Sequence, residues 1–324
     1  MAAADAAAAG LAGEPGPAVG GGAARPGAGL LTLGAFLRSR RATSGVGIVA
    51  VFVLFCFAGP LLYHATLTVN LNIVNAPPGG GHPLGTDEFG IDILGRLMGG
   101  GQSSLELGFA VGLTATVLGL LYGAASGVIG GAGDAVLMRI LDSLLAVPQF
   151  LLLIIVTSMF PLNLGVIIVI LSVLSWPGVA RLVRGQVLAL RTREFAQAAT
   201  GMGATRWWVL VRHMIPNTLG ICVVTATFGV ADAIYALSAL SFLGLGPPAP
   251  FADWGTMLTA GVGNLFNGYW WQVYPPLTAL VLVVLAFRQI GDALNDIVSG
   301  APGGQAFAAR RRRLGWVPLS RRYD

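Results

Sequence analysis

The side chains of this chain best able to bind a metal or act as nucleophiles are His64, His82 and His213, with Cys56 and Cys222. Their spacing does not support either role. The histidines lie far apart, and both cysteines sit in apolar runs, so buried thiols are expected rather than a metal set or disulfide framework. Neither G-x-x-x-x-G-K-[ST] nor H-E-x-x-H occurs. Among the acids, Asp142 and Asp232 neighbour or enter apolar stretches. As a dyad they would suit an intramembrane aspartyl protease, but Asp142 falls at an expected membrane edge and Asp232 inside a span, which disfavours a shared proton. Asp232 alone is more informative. An ionisable residue in a span is costly and points to function, here a pore, unless a neighbouring helix satisfies it. Arg288 is its candidate partner, although snorkelling to the membrane edge is the expectation at that depth. Asp292 and Asp296 lie four apart at a helix C-terminus, where carboxylates are unfavourable without a partner.

A different pattern stands out from Glu194 to Ala204. Phe195, Ala198, Ala199 and Met202 recur at helical spacing as one apolar stripe, with Glu194 and Gln197 off it. At about 1.5 Å per residue such a helix is far too short to cross a membrane. A stripe of small residues suits a tight protein groove. The rival reading is a helix lying on lipid, which usually carries larger side chains. Gly203 permits a sharp exit, and Trp207 and Trp208 suit a return to the membrane interface.

The surrounding elements must be apolar spans. Only 10% of the 324 residues are charged, 55% are hydrophobic and the mean hydropathy is +0.76, whereas soluble domains carry about 25% charge. Lipid is therefore the solvent for much of the chain. Six spans are expected: Val46 to Tyr63, Ser104 to Val128, Leu144 to Phe160, Leu164 to Val183 with a kink at Trp176-Pro177-Gly178, Asn217 to Leu245, and a sixth opening at Pro275-Pro276. Between them fall a polar loop over 67–103 ending in an amphipathic piece near Ile91 to Met98, a polar turn from Gly130 to Arg139, and a Pro- and aromatic-rich loop from Gly246 to Gln272. Residues 1–42 are an Ala/Gly-rich tail expected to be disordered and ending in basic residues, and 299–324 form a basic tail. A cleaved signal peptide is the rival for the first span, but its long leading tail and missing cleavage site speak against it. All 19 basic residues are arginine. They cluster before span one, around 181–212 and in the last residues, so both termini and the 194–204 helix are expected in the cytoplasm. The pI near 9.8 thus reflects orientation at a lipid bilayer, not nucleic acid.

Gln197-Ala198-Ala199, Gly203 and Ile215-Pro216 resemble the E-A-A-x3-G-x9-I-x-L-P loop of ABC-importer permeases. His82-Pro83-Leu84-Gly85-Thr86-Asp87, Ser175-Trp176-Pro177-Gly178, Arg212-His213-Met214-Ile215-Pro216-Asn217, Ser241 to Gly246 and Trp254-Gly255 are similar to the second permease of the dipeptide/oligopeptide/nickel importers. The resemblance covers residues 80–298 and implies an all-α, six-helix type I permease. It implies pairing with a second permease subunit, two ATPase subunits and an extracytoplasmic substrate-binding protein. ATP and Mg would sit on the ATPases, leaving this chain without cofactor or catalytic residue. By position, Glu194, Gln197, Ala198, Ala199, Gly203, Arg206 and Pro216 would dock the ATPase, with Arg193 flanking.

The chain departs from that pattern at several places. Gln197 replaces the motif Glu and loses its charge. Ile91 and Gln102 stand where arginines are usual, and Leu237 where a membrane Glu is common. The function expected is uptake of short peptides. Nickel or another chelate, a stand-alone channel and an intramembrane enzyme are the alternatives.

Overall fold

The computed structural model describes residues 36, 39–65, 67–160, 163–247 and 252–299. Most of both expected tails lies outside these residues. The described chain is helical, with only the isolated bridges Gly79–His82 and Thr86–Asp92. Five helices are long and apolar enough to span a membrane, and six spans result if one bent pair counts as one.

Helix α1 (Arg40–Leu62) begins where the Ser39 hydroxyl accepts from the Ala42 N–H. A polar cap follows, built from the sequence motif His82 to Gly90. Asp92 is fully buried and accepts from Tyr63 (2.6 Å) and pairs with His82 (2.8 Å). Asp87 accepts the Phe89 and Ile91 N–H groups and pairs with Arg96. Gly90 has φ +70°, and a Cβ there would meet Asn70 O at 1.9 Å, so the turn excludes any other residue.

Helix α2 (Ile93–Ile129) runs for 37 residues, not as a separate amphipathic piece followed by a span from Ser104. Asp92 caps it, accepting from Gly95 N–H. Gly99 to Gly101 do not break it, and close packing needs two of them: a Cβ on Gly100 would lie 3.2 Å from Asp253 C and one on Gly101 2.3 Å from Cys56 Sγ. At about 1.5 Å per residue α2 is ~55 Å long, well beyond the ~30 Å hydrocarbon core. It is the central helix. Gly108 and Gly112 face Ile234 and Val230, while Gly119, Gly123 and Gly127 face Val179, Ala180 and Val187. Small residues let these backbones touch where lipid offers no hydrophobic drive for association.

The expected turn at 130–139 is instead helix α3 (Gly131–Leu145), bent by 77° onto α4 (Gln149–Met159). Gly130 at φ +65° ends α2, and Asp134 anchors α3 through two 2.6 Å contacts to Arg184 and one with Ser126. The stretch expected as the third span, Leu144 to Phe160, is therefore divided between α3 and α4, with Pro148 at the break. Helix α5 (Leu164–Arg191) is capped by Asn163 and continues through Pro177. Helix α6 (Glu194–Gly201) and α7 (Arg206–Val209) follow, then a π-turn (Leu210–Met214) and α8 (Ile215–Phe242). The fifth span thus starts at Arg206 rather than Asn217. Pro216 lacks an N–H for the preceding turn, and the wider π-turn directly before it accommodates this.

The loop expected at 246–272 holds helix α9 (Trp254–Leu265). Asp253 and Thr256 form a capping box there. Trp254 is fully buried and donates to Leu97 O (3.1 Å). Helix α10 (Tyr274–Val298) closes the bundle with prolines in its first turn. Ser44 meets Gln289 (2.8 Å), and a Cβ on Gly220 would touch Val298, so the start of α1, the start of α8 and the end of α10 share one end of the bundle. The cap, joined to Trp271 and Gln272 through Thr86 O, forms the other.

Candidate docking site and polar cavity

The short helix α6 has no side-chain cap, but Arg193 O accepts from Ala196 and Gln197. It ends at Met202, and Gly203 at φ +91° turns the chain. The Thr205 hydroxyl then caps α7. Ala196 and Ala199 are buried, at 2% and 7% exposure, in a cluster with Val128, Val183, Val187, Val209 and Met214. The expected stripe is therefore split. Ala199 faces the bundle with Ala196, whereas Phe195, Ala198 and Met202 face outward, Met202 at 83% exposure. Ala196 escaped the sequence reading, although its spacing three residues before Ala199 marks an equally good stripe. Alanines suit this inner seat because larger side chains would lift α6 from the bundle.

Glu194, Gln197, Gly203, Arg206 and Pro216 are exposed around this helix. Gln197 Nε2 donates to Thr192 O (3.2 Å), a bond a carboxylate could not make. Phe195 and Trp208 both stack near His213, at 6.1 and 5.3 Å between ring centroids. Phe195 thus links α6, and Trp208 links α7, to the π-turn that leads into α8. Behind α6 lies a cavity of about 390 Å³, lined by Arg191, Gln197, Thr200 and Arg206 among others.

Asp232 lies elsewhere, midway along α8. It lines a second cavity of about 310 Å³ with Thr116, Gln149, Ser175 and Thr225. The bend between α3 and α4 brings Gln149 here, where it donates to Ser175 (3.1 Å). Arg288 does not snorkel: its Nη2 lies 2.7 Å from Asp232 Oδ1. Both side chains remain more than half exposed on this chain. Pairing replaces snorkelling because α10 sets Arg288 within ion-pair reach of Asp232 on α8, and an ionisable group in a span gains from a partner.

Asp142 pairs with Arg181 on α5, a separate contact that brings no second carboxylate to Asp232. Gln102, one of the departures from the family pattern, donates to Cys56 O (2.7 Å) and ties α2 to α1. Leu237 is fully buried in the bundle. Asp292 and Asp296 have no ion pair among the described residues.

Residues 115–301 match the family described as binding-protein-dependent transport system inner membrane component. The dipeptide transport system permease protein of Bacillus subtilis is 37% identical over 260 residues, covering 80% of this chain and 81% of that one. The oligopeptide transport system permease protein of the same organism is 36% identical, covering 81% and 86%. That of Haemophilus influenzae is 35% identical, covering 81% and 85%. This multi-pass chain therefore belongs to the inner-membrane permeases of binding-protein-dependent ABC transport systems.

Proposed function

We propose that this chain is the second permease subunit of an ATP-driven importer of short peptides, moved by ATPases that grip α6. The carrying observation is the split of α6: alanines seat it on the bundle while Glu194, Ala198 and Met202 face away from it, with Gln197 exposed at the edge of the cavity behind the helix. A short rigid helix so mounted can transmit a push without bending. The Phe195 ring on His213, backed by Trp208 of α7, would hand the motion to α8, which carries Asp232 at the polar cavity. Gly203 and Arg206 hold the exit of the helix, and Pro216 marks where the load enters α8. Ala199 serves the seat.

Arginine bias supports placing this end, with both termini, in the cytoplasm. Two ATPase subunits would bind there, holding ATP and Mg, and an extracytoplasmic substrate-binding protein would deliver cargo to the cap. A homologous second permease would complete the path. The chain itself performs no catalysis. The names of its relatives support peptides as cargo, and Asp232 would meet a peptide's ammonium group in the path.

The test is copurification of the chain with the permease, ATPases and receptor encoded beside it. Ala198→Trp, placed on the outward face, is expected to release the ATPases and abolish receptor-stimulated ATP hydrolysis while the permease pair stays intact. Full ATPase retention in that variant would refute docking through α6.

A further inference from the structure

Gln197 and the cavity behind α6 belong together. The cavity is lined by two guanidinium-bearing residues, Arg191 and Arg206, with the Gln197 amide and Thr200. Among the described residues neither arginine has a carboxylate partner. Arg191 donates only to Gly127 O (3.3 Å). The nearby acids of α3 are taken, Asp134 by Arg184 and Asp142 by Arg181. Gln197 Nε2 is turned to Thr192 O, so it adds no negative charge. Arg191 already lies in the field of the Asp134 carboxylate, whereas Arg206 has no acidic partner among the described residues, so Arg206 is the cation that leaves the cavity open to an incoming anion. A glutamate at 197, as in the motif this loop resembles, would place a carboxylate on the cavity wall and supply that counter-ion from within.

We propose that the cavity of Arg191, Arg206, Gln197 and Thr200 is a binding site for a carboxylate side chain supplied by the docked ATPase. The charge absent at Gln197 is thus provided from the partner. Charge complementarity favours this occupant: α6 carries Glu194 as its one acid, while Arg206 is exposed at the cavity's edge beside it. Guanidinium groups hold carboxylates in bidentate geometry. The site rests on the docking reading above and deepens it.

The complete transporter in phosphatidylcholine nanodiscs tests this, with ATPase retention measured across a salt series. Arg206→Gln is expected to weaken ATPase binding roughly tenfold and to flatten its salt dependence. Arg206→Lys should restore most of both. Gln197→Glu should weaken binding in the same direction, because an internal carboxylate would occupy the arginines and repel the incoming one. Unchanged binding in Arg206→Gln and Gln197→Glu overturns the site. An effect of Arg206→Gln that appears only when phosphatidylglycerol is added also overturns it, by assigning the anion to a lipid headgroup. Ala198→Trp separates the two readings: if it releases the ATPases while the charge variants do not, docking stands and the carboxylate site falls.

Discussion

Asp253 sits fully buried at the start of α9, where its carboxylate accepts from Ser241 (2.7 Å) and from the Gly255 and Thr256 N–H groups. Burial pushes its carboxyl above the usual carboxylate range, against the opposing pull of those three donors. A raised value means that folding favours the protonated form. That contribution is complete below the ordinary carboxylate pKa and fades as pH rises through the raised one. At neutral pH the charge is therefore a cost. Asp253→Asn should keep or raise the thermal midpoint in detergent, since its amide can accept from both N–H groups and donate to Ser241. Asp253→Ala should lose roughly 1–3 kcal/mol, through the missing cap and the orphaned hydroxyl. The Asp232–Arg288 pair makes a different kind of claim. Asp232→Asn should reduce peptide uptake by at least about tenfold, the scale of one lost ionic contact, while expression and ATPase retention stay normal. Unchanged uptake would remove Asp232 from the path.

At the scale of elements, glycine decides which helices can touch. A Cβ on Gly123 would lie 2.3 Å from Ala180 O, which is backbone and cannot swing aside. Gly123→Ala should force α2 and α5 apart at a cost of about 1–3 kcal/mol, read as a lower unfolding temperature. Gly203 is the contrasting case. Nothing lies near a Cβ there, but φ is +91°. Gly203→Ala should cost only about 1–2 kcal/mol of local conformational strain, yet redirect α6. Expected is near-normal global stability with ATP hydrolysis weakly coupled to uptake. Helical spacing marks α6 as an amphipathic element and puts Ala198 beside Ala199 on its stripe, whereas the fold buries Ala196 with Ala199. The groove around Val183, Val187 and Met214 made that choice.

For the whole molecule, the proposed orientation predicts opposite labelling of the two ends. Cys56 and Cys222 are buried, so an introduced thiol can be read over a quiet background. A cysteine at Phe266, 93% exposed beside the cap, should react with a membrane-impermeant maleimide on intact cells. One at Met202 should react only after the membrane is opened. The reverse pattern would invert the molecule. Composition and arginine placement carried the spans and their expected polarity, because each depends on local transfer from water to lipid. The family motifs were likewise local strings, so they were legible without a fold. Tertiary structure decided what depends on residues far apart in sequence. The Asp134–Arg184 anchor turned an expected loop into α3. The capping box and the Trp254 contact with Leu97 settled α9. Arg288 found Asp232 across two helices instead of the membrane edge, and α6 turned Ala199 inward. A hydrophobic pattern reports how much of a segment leaves water, whereas the partner that receives it is set by packing against chain dozens to hundreds of residues away.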